Sequence, residues 1–219
     1  MEGALGFDDF LAKFAEGKIS EWILDIERLS SFARSQPHAA FAAFSHGICH
    51  RWTYLTRILP VSEELLQRLE KVIPMTFLPA LTGQSAFNDE IRRLLALPPR
   101  HGGLGITNPV TEANRHHCVS VRTCQPLVKA ILDQKGDPFV VRGLQRQLKA
   151  EEKREQGLRQ KEECVALTNE LAAQPELQQS IMAASEKGAS AWLTTLPIEE
   201  HGFALHKGAF RDALALRYG

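Results

Sequence analysis

The chain has 219 residues, 44% of them hydrophobic, which suffices for one folded domain with or without an appendage and excludes a wholly disordered polymer. Its 26 basic and 26 acidic residues cancel, so no bulk charge announces a nucleic-acid partner. No stretch approaches the roughly 18 consecutive apolar residues of a membrane span, residues 1–14 lack the apolar core of a secretory signal, and Cys49, Cys118, Cys124 and Cys164 form no CxxC, which predicts reduced thiols in an intracellular protein.

The apolar spacing is helical almost throughout. Asp8 and Asp9 are placed to cap a first helix over about 8–35, whose buried face is Ile19, Trp22, Ile23, Ile26 and Leu29. Pro37 opens a second helix over about 37–59. In it Phe41, Phe44, Ile48, Trp52, Leu55 and Leu59 fall within a stripe less than roughly 100° wide. Ser62 is placed to cap a third helix, with Glu63 and Glu64 in its first turn and a kink or end at Pro74. A short helix over 85–95 leads into a glycine-rich loop. Asn108-Pro109 starts a further helix, with an interruption expected near Gln125-Pro126. After Asp137-Pro138 comes a long polar helix. Its segment 149–157 has only Ala150 as an apolar residue, so it is expected to be an exposed rod or hinge. Pro175 restarts a helix, 191–197 reads as a loop, and 210–218 as a last amphipathic helix. No run has a convincing strand period.

The predicted fold is therefore all-α. A three-helix bundle (1–82) is followed by connector helices with the glycine loop (83–136) and by a long helix with a C-terminal helical linker (137–219).

The zero net charge hides an uneven layout. Between Glu27 and Glu63 there is no acid, and from Ile91 to Leu132 the only acid is Glu112. Such segregation predicts local positive surface, because opposite charges more than roughly 8–10 Å away are screened.

Few constellations suggest chemistry. Phe7-Asp8-Asp9-Phe10 looks like a magnesium-binding aspartate pair but precedes a helix rather than sitting on a strand hairpin, so the helix start explains it. Arg100-His101-Gly102-Gly103-Leu104-Gly105 lacks the Lys and Ser/Thr of a phosphate loop and reads as a tight turn. His116 and His117 point about 100° apart on a helix and are a poor metal pair, so no metal site and no cofactor is expected. The better candidate is the polar side of the second helix, where His46, His50, Tyr54 and Arg57, with Arg51 at the flank, offer donors to phosphate and sugar oxygens. The competing reading packs this side on another protein helix, with Tyr54 and the histidines bonded internally.

Leu97-Pro-Pro-Arg-His-Gly-Gly-Leu-Gly-Ile-Thr-Asn-Pro109 resembles the LPxRxGGLGIxNP block downstream of the polymerase core in non-LTR retrotransposon reverse transcriptases. Ala191-Trp-Leu-Thr-Thr-Leu-Pro197 and Phe210-Arg-Asp-Ala-Leu-Ala-Leu-Arg-Tyr-Gly219 resemble the linker before the zinc knuckle in elements that carry a restriction-like endonuclease. Gly3-Ala4-Leu5-Gly6 resembles the tail of the turn that closes the palm. The resemblance implies a thumb and linker: a helical bundle gripping a template–product RNA/DNA duplex or element RNA. Its partners would be the palm and endonuclease segments of a parent polyprotein, in the nucleus when part of a functional element, with no membrane and no small-molecule substrate. Arg100 matches the basic position of the LPxR block, whereas His101 replaces a usually apolar or small residue. The palm aspartates and the Cys-x-Cys knuckle are absent, so a non-catalytic fragment is expected. The alternative is a helical protein-interaction scaffold, or a domesticated remnant without a nucleic-acid role.

Overall fold

The computed structural model describes residues 6–85 and 87–218. Gly3, Ala4 and Leu5 of the expected palm-closing turn, Ala86 and the terminal Gly219 lie outside the described residues. Among those described, every regular element is helical and there is no strand.

Helix α1 covers Asp8–Ala33. Its N-cap is Phe7, and Asp8 and Asp9 occupy the first turn without a side-chain cap bond. They act through charge on the positive end of the helix dipole, not through the expected cap. Ala15, Ile19, Trp22 and Ile26 form its buried stripe.

Helix α2 spans residues 37–58, made of Pro37–Ala43, one π-helical turn at Phe44–Ile48, and Cys49–Ile58. Phe41, Phe44, Trp52 and Leu55 are buried, as the wheel predicts. Helix α3 spans residues 63–82, again with a π-helical turn, at Ile73–Phe77. Ser62 is its N-cap by backbone geometry, with no cap bond from the hydroxyl. Of the kink or end expected at Pro74, the end does not occur, and the helix widens there instead. The proline sits in the first positions of the wider turn, where its missing N–H is absorbed, and the buried face continues through Phe77 and Leu78 until Gly83, whose φ of 85° closes the helix. The three helices close a bundle in which the Phe44 ring centroid lies 4.5 Å from Phe77 and 5.7 Å from Trp52.

Helix α4 is Asp89–Ala96, α5 is Pro109–Leu132 and α6 is Pro138–Glu170. Asn88, Asn108 and Asp137 cap them, each with its side-chain oxygen accepting a first-turn N–H at 2.8 Å. The interruption expected near Gln125-Pro126 is absent. One proline removes a single N–H, which costs only the bond to the Arg122 carbonyl, and α5 runs through unbroken; Gln145 Nε2 of α6 donates to the next carbonyl, that of Thr123, at 3.3 Å. The pairs Arg115–Glu152 and Thr123–Gln145 show that α5 and α6 are antiparallel. Helix α6 passes through 149–157 without a break, and none of those residues is buried.

Helix α7 is Pro175–Ala184, α8 a single turn at Ala191–Thr194 inside the expected loop, and α9 is Lys207–Tyr218. Helix α9 returns to the bundle. Phe210 stacks on His38 with centroids 5.1 Å apart and meets Trp192 edge-on, while Arg211 donates to the Ala80 and Leu81 carbonyls at the end of α3. Burial holds His38 below its ordinary pKa, and its Nδ1 accepts the Leu205 N–H at 3.1 Å. Buried side chains from Ala15 to Tyr218 form one connected core. No helix among the described residues is long and apolar enough to cross a membrane.

Candidate nucleic-acid interface

The C-terminal half of α2 divides into three sides. Trp52 and Leu55 face the bundle core. Thr56 faces α5, its Oγ1 lying 3.1 Å from His116 Nδ1. The Thr56 hydroxyl also lies 2.9 Å from the Trp52 carbonyl. This flank, which lies beside the polar side named from the sequence, packs on α5.

The third side is open. His46, His50, Arg51 and Arg57 are exposed and Tyr54 is half-buried. At about 100° per residue, His50, Tyr54 and Arg57 fall within roughly 60° of one another. The backbone is accessible beside them, since a Cβ added at Gly47 would meet nothing within 4 Å.

The charges on this side are unequal. Among the described residues no carboxylate forms an ion pair with Arg57. Arg51 is held, its Nη1 lying 2.5 Å from Asp25 Oδ2 on α1. Arg51 and Tyr54 also border a cleft of about 330 Å³ between α1 and α2, with Phe14, Lys18, Glu21 and Trp22 on its other side. Arg100 does not join them through any contact. It stands on the single turn Pro99–His101, and its Nη2 donates to Gln160 Oε1 of α6 at 2.5 Å.

The other acid-poor segment, 91–132, is largely neutralised in space. A cleft of about 390 Å³ between α4, α5 and α6 gathers Arg92, Arg93, Arg115 and Arg159. Arg92 pairs with Glu70, Arg93 with Glu163 and Glu170, Arg115 with Glu112 and Glu152, and Arg159 with Glu152 and Glu155. Arg100 and Lys129 of the segment form no ion pair among the described residues, whereas glutamates of α3, α5 and α6 offset the clustered arginines. These arginines fasten helices together and leave little free charge for an incoming anion. Within this region His116 is pushed down to about 4, first by burial and then by the nearby Arg115 and Arg57 cations. Burial likewise pushes the Cys49 thiol up to about 11, which makes it a poor nucleophile.

The glycine loop is the turn its sequence suggests. Gly102 and Gly105 have φ of 84° and 73°, and a Cβ on Gly103 would stand 1.9 Å from the Leu97 carbonyl oxygen. What the sequence did not reveal is that Arg217 and Tyr218 close on this loop from α9. The only available signal was a cation at 217 on the face shared by the buried Phe210 and Leu214.

No protein-family description matches the sequence, no curated protein is significantly similar to it, and no solved structure resembles it significantly.

Proposed function

We propose that the chain is a non-catalytic nucleic-acid-binding piece of a retroelement reverse transcriptase, gripping a template–product RNA/DNA duplex with the open side of α2. One observation carries this reading: His50, Arg57 and His46 remain exposed along one helix, and Arg57 has no carboxylate neutralising it among the described residues. Side chains of this kind donate to phosphate and sugar oxygens and fix position without reading sequence. Tyr54 adds a ring and a hydroxyl at the groove edge, and Gly47 lets a backbone of either polymer come close. The ordered blocks at 97–109, 191–197 and 210–219 support a thumb-and-linker origin, with the palm and endonuclease of a parent polyprotein as the catalytic partners.

Titration of an RNA–DNA hybrid by filter binding tests this directly. About three phosphate contacts release about three counterions, so affinity should fall roughly 40-fold between 50 and 200 mM salt. Arg57→Glu should weaken binding to unrelated sequences alike. Salt-independent binding, or unchanged affinity in Arg57→Glu, overturns the assignment.

A further inference from the structure

The hairpin of α5 and α6 projects as a two-helix arm. Between residues 110 and 166 only Thr123 and Val141 are buried. A pair of helices has one shared inner face, so apolar residues elsewhere on the arm have nowhere to go within this chain. Yet the tip is rich in them: Ile131 is 56% exposed and Leu127 44%, and both line the space between the two helices. Scattered apolar side chains on a surface need no explanation, but a contiguous patch marks an interaction site.

The tip also has shape and charge. A cleft of about 530 Å³ runs between the helices, floored by Leu127, Ala130, Ile131 and Val141 and rimmed by Lys135 and Arg142, and no carboxylate lines it. Arg146 and Lys149 follow Arg142 at steps of four and three, so they continue the rim along the same side of α6. Two acids lie nearby. Asp137 is occupied in capping α6, and Asp133 follows the end of α5.

We propose that this groove docks an amphipathic helix of a protein partner, whose apolar side chains enter between α5 and α6 and whose acidic borders meet Lys135, Arg142, Arg146 and Lys149. A concave slot between two helices suits the side chains of a third, whereas a bilayer accepts a convex apolar edge. A second copy would bring two basic tips together, which opposes self-pairing. The inference is independent of the nucleic-acid side of α2, which lies on another element.

The test uses the full chain and two labelled synthetic helices of about 20 residues, identical in a leucine stripe at i, i+3, i+4 and i+7. One carries glutamate at the flanking positions and the other lysine. Fluorescence anisotropy should show saturable binding of the glutamate peptide, at least tenfold tighter than the lysine peptide. Leu127→Ser with Ile131→Ser, and separately Arg142→Glu, should each weaken it about tenfold or more while the thermal midpoint stays unchanged, because these side chains are exposed. Absence of saturable binding, or equal affinity for both peptides, overturns the proposal. So does sedimentation showing a dimer abolished by the serine pair, or binding to phosphatidylserine vesicles that the glutamate peptide does not compete.

Discussion

Arg217 Nε lies 3.1 Å from the carbonyl oxygen of Gly102, which ties the last helix to a loop 115 positions earlier. Its Nη2 also reaches the Pro99 carbonyl at 3.0 Å, the Gly103 carbonyl at 3.3 Å and Ser190 Oγ at 2.9 Å. Tyr218 Oη donates to the same Gly102 carbonyl at 3.0 Å, and its burial raises the phenol pKa, keeping the donor proton in place. The glycine loop and the end of the last helix, far apart in the chain, are thus joined by side-chain bonds to backbone carbonyls.

Removing that guanidinium breaks those four bonds at once and takes the side-chain donor from the Gly103 carbonyl, while Gly102 keeps Tyr218 Oη and Pro99 keeps Ser190 Oγ and the Gly102 N–H. Arg217→Leu is expected to lower unfolding free energy by about 2–4 kcal/mol, and Arg217→Lys by less, because an ammonium restores some of the bonds. Tyr218→Phe should lose about 1 kcal/mol. Urea denaturation monitored by circular dichroism gives all three. An unchanged midpoint in Arg217→Leu would mean that the clamp adds nothing to stability.

Two glycines separate close approach from mere helix weakening. Gly103→Ala places a methyl against the Leu97 and Leu94 carbonyls and should cost about 3 kcal/mol or more. Gly17→Ala lies in the interior of α1 with nothing within 4 Å of the new methyl, and should stabilise by about 0.5–1 kcal/mol. Thermal melts of the two variants should therefore move in opposite directions.

Periodicity made α1, α2 and the start of α3 legible, because each buries one stripe and solvates the other. Prolines misled in the middle of the chain. Pro74 and Pro126 have the same local chemistry as Pro37, but Pro74 falls in a widened turn and α5 continues through Pro126, and neither is visible in sequence. The exposed side of α2 was readable from the wheel, since His46, His50 and Arg57 stand opposite the aromatic stripe. The fate of the arginines at 92, 93 and 115 was not, because their carboxylate partners at 70, 152, 163 and 170 come from other helices. Charge counted along a chain says little once helices fold back antiparallel.

Stability should fall in mild acid through His116. In the folded chain this imidazole is neutral down to about pH 4, whereas in the unfolded chain it titrates near 6.5. As pH drops below 6.5 the unfolded state takes up the proton first, so stability present at neutral pH is lost between about 6.5 and 4. The loss should reach about 2 kcal/mol, allowing for partial solvent screening. His38, also held low by burial, acts in the same direction. Denaturant midpoints at pH 7 and pH 4.5 should differ accordingly, and His116→Gln should reduce the difference. An equal pH slope in that variant would contradict the assignment.

Asp25 restrains the open side of α2. It binds Arg51 at 2.5 Å through Oδ2 and Arg28 at 3.4 Å through Oδ1, so one carboxylate neutralises cations from two helices. Both arginines are exposed, and the pairs stabilise the fold by little. Asp25→Asn keeps the shape of the side chain and removes its charge, which frees Arg51 beside Tyr54. If this side grips a polyanion, the variant should bind an RNA–DNA hybrid several-fold more tightly at low salt. The slope of log affinity against log salt should steepen by about one, the signature of one more phosphate contact. The gain should vanish at high salt, where each released counterion is worth less, and Arg51→Gln in the Asp25→Asn background should erase it. Weaker binding in Asp25→Asn would place Arg51 outside the contact and confine the grip to Arg57 and the histidines.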